Sequence, residues 1–343
     1  MVYRSRCSIA DMVARAPQEA EPSFIGLPSF LKLPYVTSHD DLVGLKPDIA
    51  IMGAPFDMGA TIRPGTRYGP RAIRQAAGYV GGSPVEPMYH VSLRVAPFKI
   101  LKVVDYGDAN CPPHSIEQAH QAIARKVAQV LEAKALPIVL GGDHSITLPS
   151  ATAVADAWGR GKVGIVHFDS HADTAPDSFG GSLIAHGSPM RRLIESGAVP
   201  PRNFVQIGLR GYWPPQEVWE WMEAQGMRWH LMAEIEERGF DVVIDEAIDQ
   251  ALDGPEYIYL SVDIDVLDPG FAPGTGTPEP GGITPTQLLR AVRNIVSRVD
   301  LVAMDLVEVS PPYDDPGAVT AEVAHRVVLE AITALAHKRA NNT

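Results

Sequence analysis

The 343-residue sequence has little cysteine, no excess of positive charge and no long apolar run. Its two cysteines, Cys7 and Cys111, lie near one end and in a proline-rich turn, so no disulfide framework is indicated. A formal net charge of −12 argues against nucleic acid and anionic membranes as partners, because both are bound through basic surfaces. The apolar runs are shorter than the roughly 20 residues of a transmembrane helix, and charges interrupt the first thirty residues where a signal peptide needs an apolar core. We therefore expect a soluble, cytoplasmic protein.

The domain organisation is predicted to be simple. Residues 1–22 lack clear periodicity and are predicted to form an N-terminal arm. No break in composition divides residues 23–343, so we predict a single domain there, and its length allows an ample core.

Eight short apolar runs have the length of buried strands, and helical patterns separate most of them. The runs begin at Asp48, Ile100, Leu136, Val163, Phe204, Met227, Tyr257 and Leu301. The residues Thr284-Pro-Thr-Gln287 predict the start of one intervening helix, because they have the pattern of a capping box with proline in the first helical position. Alternating strands and helices are typical of the α/β class, here a mainly parallel eight-stranded sheet with helices on both faces.

The most informative stretch is Val-Gly-Ile-Val-His-Phe-Asp-Ser-His-Ala-Asp at 163–173. Its apolar half predicts a strand, after which Asp169, His171 and Asp173 occupy alternate positions. Alternate residues at a strand end point the same way, so three metal-ligand side chains converge. Because adjacent carboxylates repel each other, such clustering favours a bound cation. We expect His167 to point away from these ligands and to pack or support them.

Further polar residues follow other predicted strands. His144 comes after the third run, Asp263 and Asp265 after the seventh, and Glu308 after the eighth. In parallel sheets, ligands bind at the carboxyl ends of the strands. These side chains are therefore predicted to meet in one crevice. Asp268 precedes a proline and is expected to be a turn residue.

The combined set contains two histidines and four aspartates, which is too much negative charge for one cation. Two divalent ions about 3.5 Å apart, bridged by carboxylate and water, would balance it. Oxygen-rich ligation with a few imidazoles favours Mn²⁺, with Ni²⁺, Co²⁺ or Fe²⁺ as alternatives, and no thiolate is in place to select zinc.

Five motifs lie at or near these positions. They are Gly-Gly-Asp-His-Ser at 141–145, Asp-Ser-His-Ala-Asp at 169–173, His-Gly-Ser-Pro at 186–189, Ser-Val-Asp-Ile-Asp at 261–265 and Gly-Thr-Gly-Thr-Pro-Glu-Pro-Gly-Gly at 274–282. Together they resemble the ureohydrolases, the family of arginase, agmatinase and guanidinobutyrase, from about Phe24 to the last predicted helix. The resemblance implies a three-layer α/β/α fold, a dinuclear manganese site and assembly into homotrimers or hexamers.

The resemblance also implies roles for individual residues. One ion would be held by His144, Asp169, Asp173 and Asp263. The other would be held by Asp169, His171, Asp263 and Asp265. His186 matches the family's proton-transfer histidine, Glu308 matches the carboxylate that grips the guanidinium, and Asp173 can orient the attacking hydroxide.

The substrate is predicted from the segment after Asp173. Arginase-like proteins usually carry an asparagine two residues further on, and Ala175 in that position speaks against arginine. Asp177 is a candidate partner for the free amine of agmatine, and the 174–186 loop has no arginine for a substrate carboxylate. Hydrolysis of agmatine to putrescine and urea is thus the preferred prediction. Guanidinobutyrate, guanidinopropionate, guanidine and biguanides such as dimethylbiguanide are the alternatives.

Two other functions fit the pattern of residues less well. A deacetylase-like hydrolase with a single zinc ion would need fewer carboxylate ligands than the six-residue set provides. A metal-binding, inactive subunit of a hetero-oligomer would be expected to lack one of the six metal ligands, or His186, or Glu308. All of these residues are present. A hetero-oligomer in which this chain is the active subunit stays open.

Overall fold

The computed structural model describes residues 25–76 and 88–342. The predicted arm at 1–22 lies outside these residues, and the single-domain boundary at 23 stays a prediction. Eight strands form one sheet. They are β1 (Ile49–Ala54), β2 (Val103–Asp108), β3 (Leu136–Gly141), β4 (Val163–Phe168), β5 (Phe204–Leu209), β6 (Arg228–Leu231), β7 (Tyr257–Asp263) and β8 (Leu301–Val307).

The sheet has the order β2-β1-β3-β8-β7-β4-β5-β6, and every neighbouring pair is parallel. The predicted fold class is confirmed. Most strands are buried along nearly their whole length, as apolar strands covered on both faces must be. The second strand begins later than predicted, because Pro97–Lys99 forms a 3₁₀ turn and the N–H of Ile100 bonds back to Pro97.

Ten α-helices within the described residues cover the two faces. They are α1 (His39–Leu45), α2 (Gly69–Ala76), α3 (Ile116–Glu132), α4 (Thr147–Trp158), α5 (Pro189–Glu195), α6 (Gln216–Gln225), α7 (Met232–Arg238), α8 (Phe240–Ala251), α9 (Pro285–Arg298) and α10 (Val319–Asn341). Helices α2 and α7 to α10 pack on one face, and α1 and α3 to α6 pack on the other. The predicted capping box at Thr284 and Gln287 is present at the start of α9. Within the described ranges, no helix combines the length and hydropathy that crossing a membrane requires.

A close backbone approach joins the tips of β1, β3 and β8. Gly142 has a φ of +39°, and a Cβ there would lie 2.4 Å from the carbonyl oxygen of Ala54. The carbonyl of Gly142 accepts a hydrogen bond from the N–H of Glu308 at 2.9 Å. Glycine is therefore required at this position, because it lets the segments carrying His144 and Glu308 meet.

Candidate functional site

The six predicted metal ligands and Glu308 all lie at or just beyond the carboxyl ends of four adjacent strands. His144 follows β3, the segment 169–173 follows β4, Asp263 ends β7, and Glu308 follows β8. Because β3, β8, β7 and β4 are neighbours in the sheet, their tips open into one crevice. Among the candidate metal ligands, His171 is the most exposed, with 18% of its side chain accessible.

The first group of ligand atoms surrounds Nδ1 of His144. This nitrogen lies 3.1 Å from one carboxylate oxygen of each of Asp169, Asp173 and Asp263. It is buried and has no hydrogen-bond partner within the described part of the chain. Ligand atoms about 2.1 Å from an octahedral divalent ion lie about 3 Å from one another. The spacing and the orphaned nitrogen therefore fit a shared cation.

The second group lies on the other side of Asp169. Nδ1 of His171 is 3.1 Å from Oδ2 of Asp265 and 3.5 Å from Oδ1 of Asp169. Asp169 thus offers one oxygen to each group, as a bridging carboxylate does. Asp263 turns Oδ2 toward His144, while its Oδ1 accepts a hydrogen bond from the N–H of Asp265 at 2.8 Å.

The electrostatics of the site also favour cations. Burial, with the neighbouring carboxylate of Asp169, raises the pKa of Asp173. Burial together with Asp265 and Asp169 raises the pKa of Asp263 well above its usual range. Ionised carboxylates so close together are costly unless positive charge lies between them. The four negative charges of the aspartates would balance the positive charges of two divalent ions. The donor atoms are carboxylate oxygen and imidazole nitrogen, without sulfur.

The tautomer of His144 is set by its other nitrogen. Nε2 of His144 lies 3.1 Å from Oγ of Ser261, and Ser261 donates to Asp305 at 2.7 Å. Tyr259 and Thr147 also donate to Asp305. A proton on Nε2 can thus be donated to Ser261, which leaves the lone pair of Nδ1 facing the three carboxylates. Such outer hydrogen bonds orient metal-binding histidines.

The expectation for the direction of His167 was wrong. Nε2 of His167 lies 3.0 Å from Oδ2 of Asp169, and Nδ1 lies 3.1 Å from Nε2 of Gln206. The side chain is fully buried and packs against His144, with ring centroids 4.9 Å apart. Positions 167 and 169 are two residues apart, so strand alternation puts them on the same side. His167 supports Asp169 from beneath the site.

His186 and Glu308 form a pair beside the first group. Nδ1 of His186 lies 3.0 Å from Oε1 of Glu308, which also accepts the N–H of His144 at 2.9 Å. Burial lowers the pKa of His186, but Glu308, Asp143 and Asp173 raise it to about 9. The second oxygen of Glu308, Oε2, is buried and has no hydrogen-bond partner among residues 25–76 and 88–342.

Two of these residues adopt uncommon backbone angles. Asp173 has a φ of +52° and Glu308 a φ of +63°, in the left-handed region that side chains other than glycine rarely adopt. Each such residue costs about 1–3 kcal/mol and persists where the surroundings fix it. The strain falls on the residue predicted to orient the nucleophile and on the predicted guanidinium anchor.

A cavity of about 800 Å³ opens above the ligand groups. Its wall includes Ala175 and Asp177 from the predicted substrate loop. Two further wall residues, Thr61 and Trp213, were missed from the sequence. Trp213 packs edge-on against His171, with ring centroids 6.1 Å apart. Both belong to loops without periodicity, and no sequence signal identified them.

The glycine-rich motif at 274–282 is held by Asp268, as the turn prediction requires. Its carboxylate accepts hydrogen bonds from the N–H groups of Gly270 and Gly281, each at 2.8 Å. Asp268 therefore stabilises a loop beside the site and is not one of the converging ligands.

Comparison with known proteins agrees with this architecture. A model of the arginase family matches residues 47–334. The guanidinopropionase of Pseudomonas aeruginosa is 40% identical over 324 residues, covering 94% of this chain and 95% of that protein. The guanidinobutyrase of the same organism is 40% identical over 296 residues, covering 86% and 88%. The proclavaminate amidinohydrolase structure from Streptomyces clavuligerus superposes with a TM-score of 0.81 at 34% identity, covering 93% of this chain and 100% of that chain. The resemblance drawn from the motifs is confirmed, and the chain belongs to the arginase family.

Proposed function

We propose that this protein hydrolyses the guanidino group of a small substrate to urea and an amine, using two divalent metal ions. The observation that carries the proposal is the position of His144 Nδ1, 3.1 Å from three carboxylate oxygens and without a hydrogen-bond partner in the described chain. The pair of His186 and Glu308 lies directly beside it.

The proposed ligands of the first ion are His144, Asp169, Asp173 and Asp263. Those of the second are Asp169, His171, Asp263 and Asp265. Manganese suits this donor set, with nickel or cobalt as alternatives. When bound, such a pair would lower the pKa of a water molecule toward about 7 and so supply a nucleophile at neutral pH.

The protein's own groups would act on the substrate as follows. The free Oε2 of Glu308 accepts a hydrogen bond from the guanidinium and fixes its orientation. Asp173 accepts a hydrogen bond from the attacking water and directs it at the guanidinium carbon. When the carbon–nitrogen bond breaks, its electron pair stays on the leaving nitrogen, and His186 delivers the proton that this nitrogen needs.

Agmatine is the proposed substrate because of the charge of the cavity wall. Asp177 lies at the mouth and can pair with a cationic amine, and the described wall contains no lysine or arginine. Ala175 offers only a methyl group, which cannot donate a hydrogen bond to the α-carboxylate of arginine. Guanidine and dimethylbiguanide, which lack a carboxylate, are also compatible with this wall.

Guanidino acids are the second candidate, because the two Pseudomonas aeruginosa relatives are named guanidinopropionase and guanidinobutyrase. Arg63 is the basic residue nearest in sequence to Thr61 and Ile62 of the wall. Its guanidinium lies over the ring of Tyr313, 5.3 Å from the centroid. A turn of Arg63 from Tyr313 toward the cavity would supply a partner for the carboxylate of a guanidino acid.

Urea release across a substrate panel tests both proposals. The panel contains agmatine, guanidinobutyrate, guanidinopropionate, arginine, guanidine and dimethylbiguanide, each assayed with Mn²⁺ and with Ni²⁺. We expect agmatine to be hydrolysed most efficiently. Urea from arginine alone would contradict the argument from Ala175, and urea from the guanidino acids alone would contradict the one from Asp177. Assembly as a homotrimer or hexamer and a cytoplasmic location stay proposals, to be measured separately.

A further inference from the structure

His186 is held at both ring nitrogens. Nδ1 faces Glu308, and Nε2 lies 2.8 Å from the hydroxyl oxygen of Thr61. The backbone N–H of Thr61 also donates to Nε2, at 3.2 Å. A third contact fixes the main chain, since the N–H of His186 donates to the carbonyl of Gly59 at 3.0 Å.

The segment that carries Thr61 is itself anchored. The N–H of Gly59 donates to Oδ2 of Asp143 at 2.7 Å, and Asp143 is fully buried. A Cβ on Gly59 would lie 2.9 Å from both oxygens of that carboxylate, so the approach is tight. The position of Thr61 relative to His186 is therefore set by the backbone and by a buried carboxylate.

The two donors of Thr61 differ in what they can do. Its N–H can only donate, so it serves Nε2 while that nitrogen is unprotonated, and the ring proton then lies on Nδ1 and is donated to Glu308. A hydroxyl can donate or accept. The hydroxyl of Thr61 can therefore partner Nε2 both without a proton and with one, which a proton-transferring histidine requires.

We propose that Thr61 is the positioning residue of His186, and that its hydroxyl keeps Nε2 at the cavity wall in both protonation states. This inference rests on the proposed function, in which His186 gives a proton to the leaving amine. The balanced step moves the proton of Nε2–H to the leaving nitrogen as the carbon–nitrogen bond breaks. Nε2 then accepts a hydrogen bond from the Thr61 hydroxyl. The ring becomes charged again when Nε2 takes a proton from water at the cavity mouth.

The test compares Thr61→Val, which removes the hydroxyl at similar size, with Thr61→Ser, which keeps it. Thr61 is exposed, so neither change opens a cavity in the core. Thr37→Val is the matched control, because Thr37 is exposed and lies outside the cavity wall. We expect Thr61→Val to lower kcat for urea release about tenfold, because one hydrogen bond that stabilises the transition state is lost. KM and metal content should stay unchanged. Thr61→Ser should recover most of the loss, and Thr37→Val should match the unsubstituted protein.

Equal kcat values for Thr61→Val and the unsubstituted protein would overturn the inference. So would an equal loss in Thr61→Ser and Thr61→Val, because that would mean the methyl group and not the hydroxyl is required. Failure of the proposed function is distinguishable, since the unsubstituted protein would then release no urea from any guanidino compound, and the inference would fall with it.

Discussion

Nδ1 of His186 and Oε1 of Glu308 lie 3.0 Å apart, although 122 positions separate the two residues in the sequence. The same oxygen accepts the N–H of His144, so one carboxylate connects the proposed proton-transfer histidine with a proposed metal ligand. Its other oxygen has no protein partner within the described ranges. Glu308 therefore holds His186 through one oxygen and leaves the other for the guanidinium in the proposed mechanism.

Replacing Glu308 by glutamine should lower kcat/KM for urea release about 100-fold, because charge-assisted hydrogen bonds of about 1.5–3 kcal/mol are lost at His186 and at the guanidinium. Steady-state kinetics with agmatine measures the effect. Glu256→Gln, at an exposed ion pair with Lys162, is the control and should leave kinetics unchanged. Unaltered kinetics in Glu308→Gln would show that Glu308 neither binds the guanidinium nor holds His186 for the reaction.

Replacing Asp177 by asparagine should raise the KM for agmatine while leaving the KM for guanidine unchanged. Only agmatine carries an amine that Asp177 can pair with. Because Asp177 is exposed, the pair is worth up to about 1 kcal/mol, or roughly a fivefold rise in KM. Asp156→Asn, at an exposed position of α4 outside the cavity, is the control. Equal changes for both substrates would exclude a role of Asp177 in recognising the tail.

His325 should make the folded protein less stable in acid. It is fully buried against Phe30, and burial, with Arg326, lowers its pKa to about 3. The unfolded chain binds this proton near pH 6.5, so the stabilising contribution is full above pH 6.5 and is lost as the pH falls toward 3. His325→Met should flatten this dependence by up to about 2 kcal/mol between pH 6.5 and 5.

The measurement for His325 is denaturant unfolding at several pH values, with a chelator present so that ion release does not contribute. His114→Gln, at an exposed histidine, serves as the control and should keep the pH dependence of the unsubstituted protein. Parallel curves for His325→Met and the unsubstituted protein would show that His325 does not titrate as its burial implies.

Much of this architecture follows from local sequence pattern. Strand β4 delivers Asp169 to the edge of the sheet, and the bend that follows it carries His171 and Asp173 into the two ligand groups. The parallel sheet brings their partners to the same edge. Positions two apart in a strand share a side, which places His167 beside Asp169 and not on the opposite side as predicted. Apolar periodicity also located all eight strands, although β2 began late.

Thr61 and Trp213 could not be predicted, because their roles depend on contacts between loops far apart in the chain. Thr61 reaches His186 across 125 positions, and Trp213 packs on His171 from the loop after β5. Neither loop has a hydrophobic period that fixes the direction of its side chains. The left-handed backbone of Asp173 and Glu308 is likewise imposed by tertiary contacts.

The metal content of the unsubstituted protein and of His171→Ala tests the central claim most directly. His171 contributes Nδ1 to the group with Asp169 and Asp265, whereas the group around His144 does not include it. After saturation with Mn²⁺ and removal of excess ion, elemental analysis should give two equivalents per chain for the unsubstituted protein and one for His171→Ala. Two retained equivalents in the variant, or a single equivalent in the unsubstituted protein, would contradict a pair of ions held by these side chains.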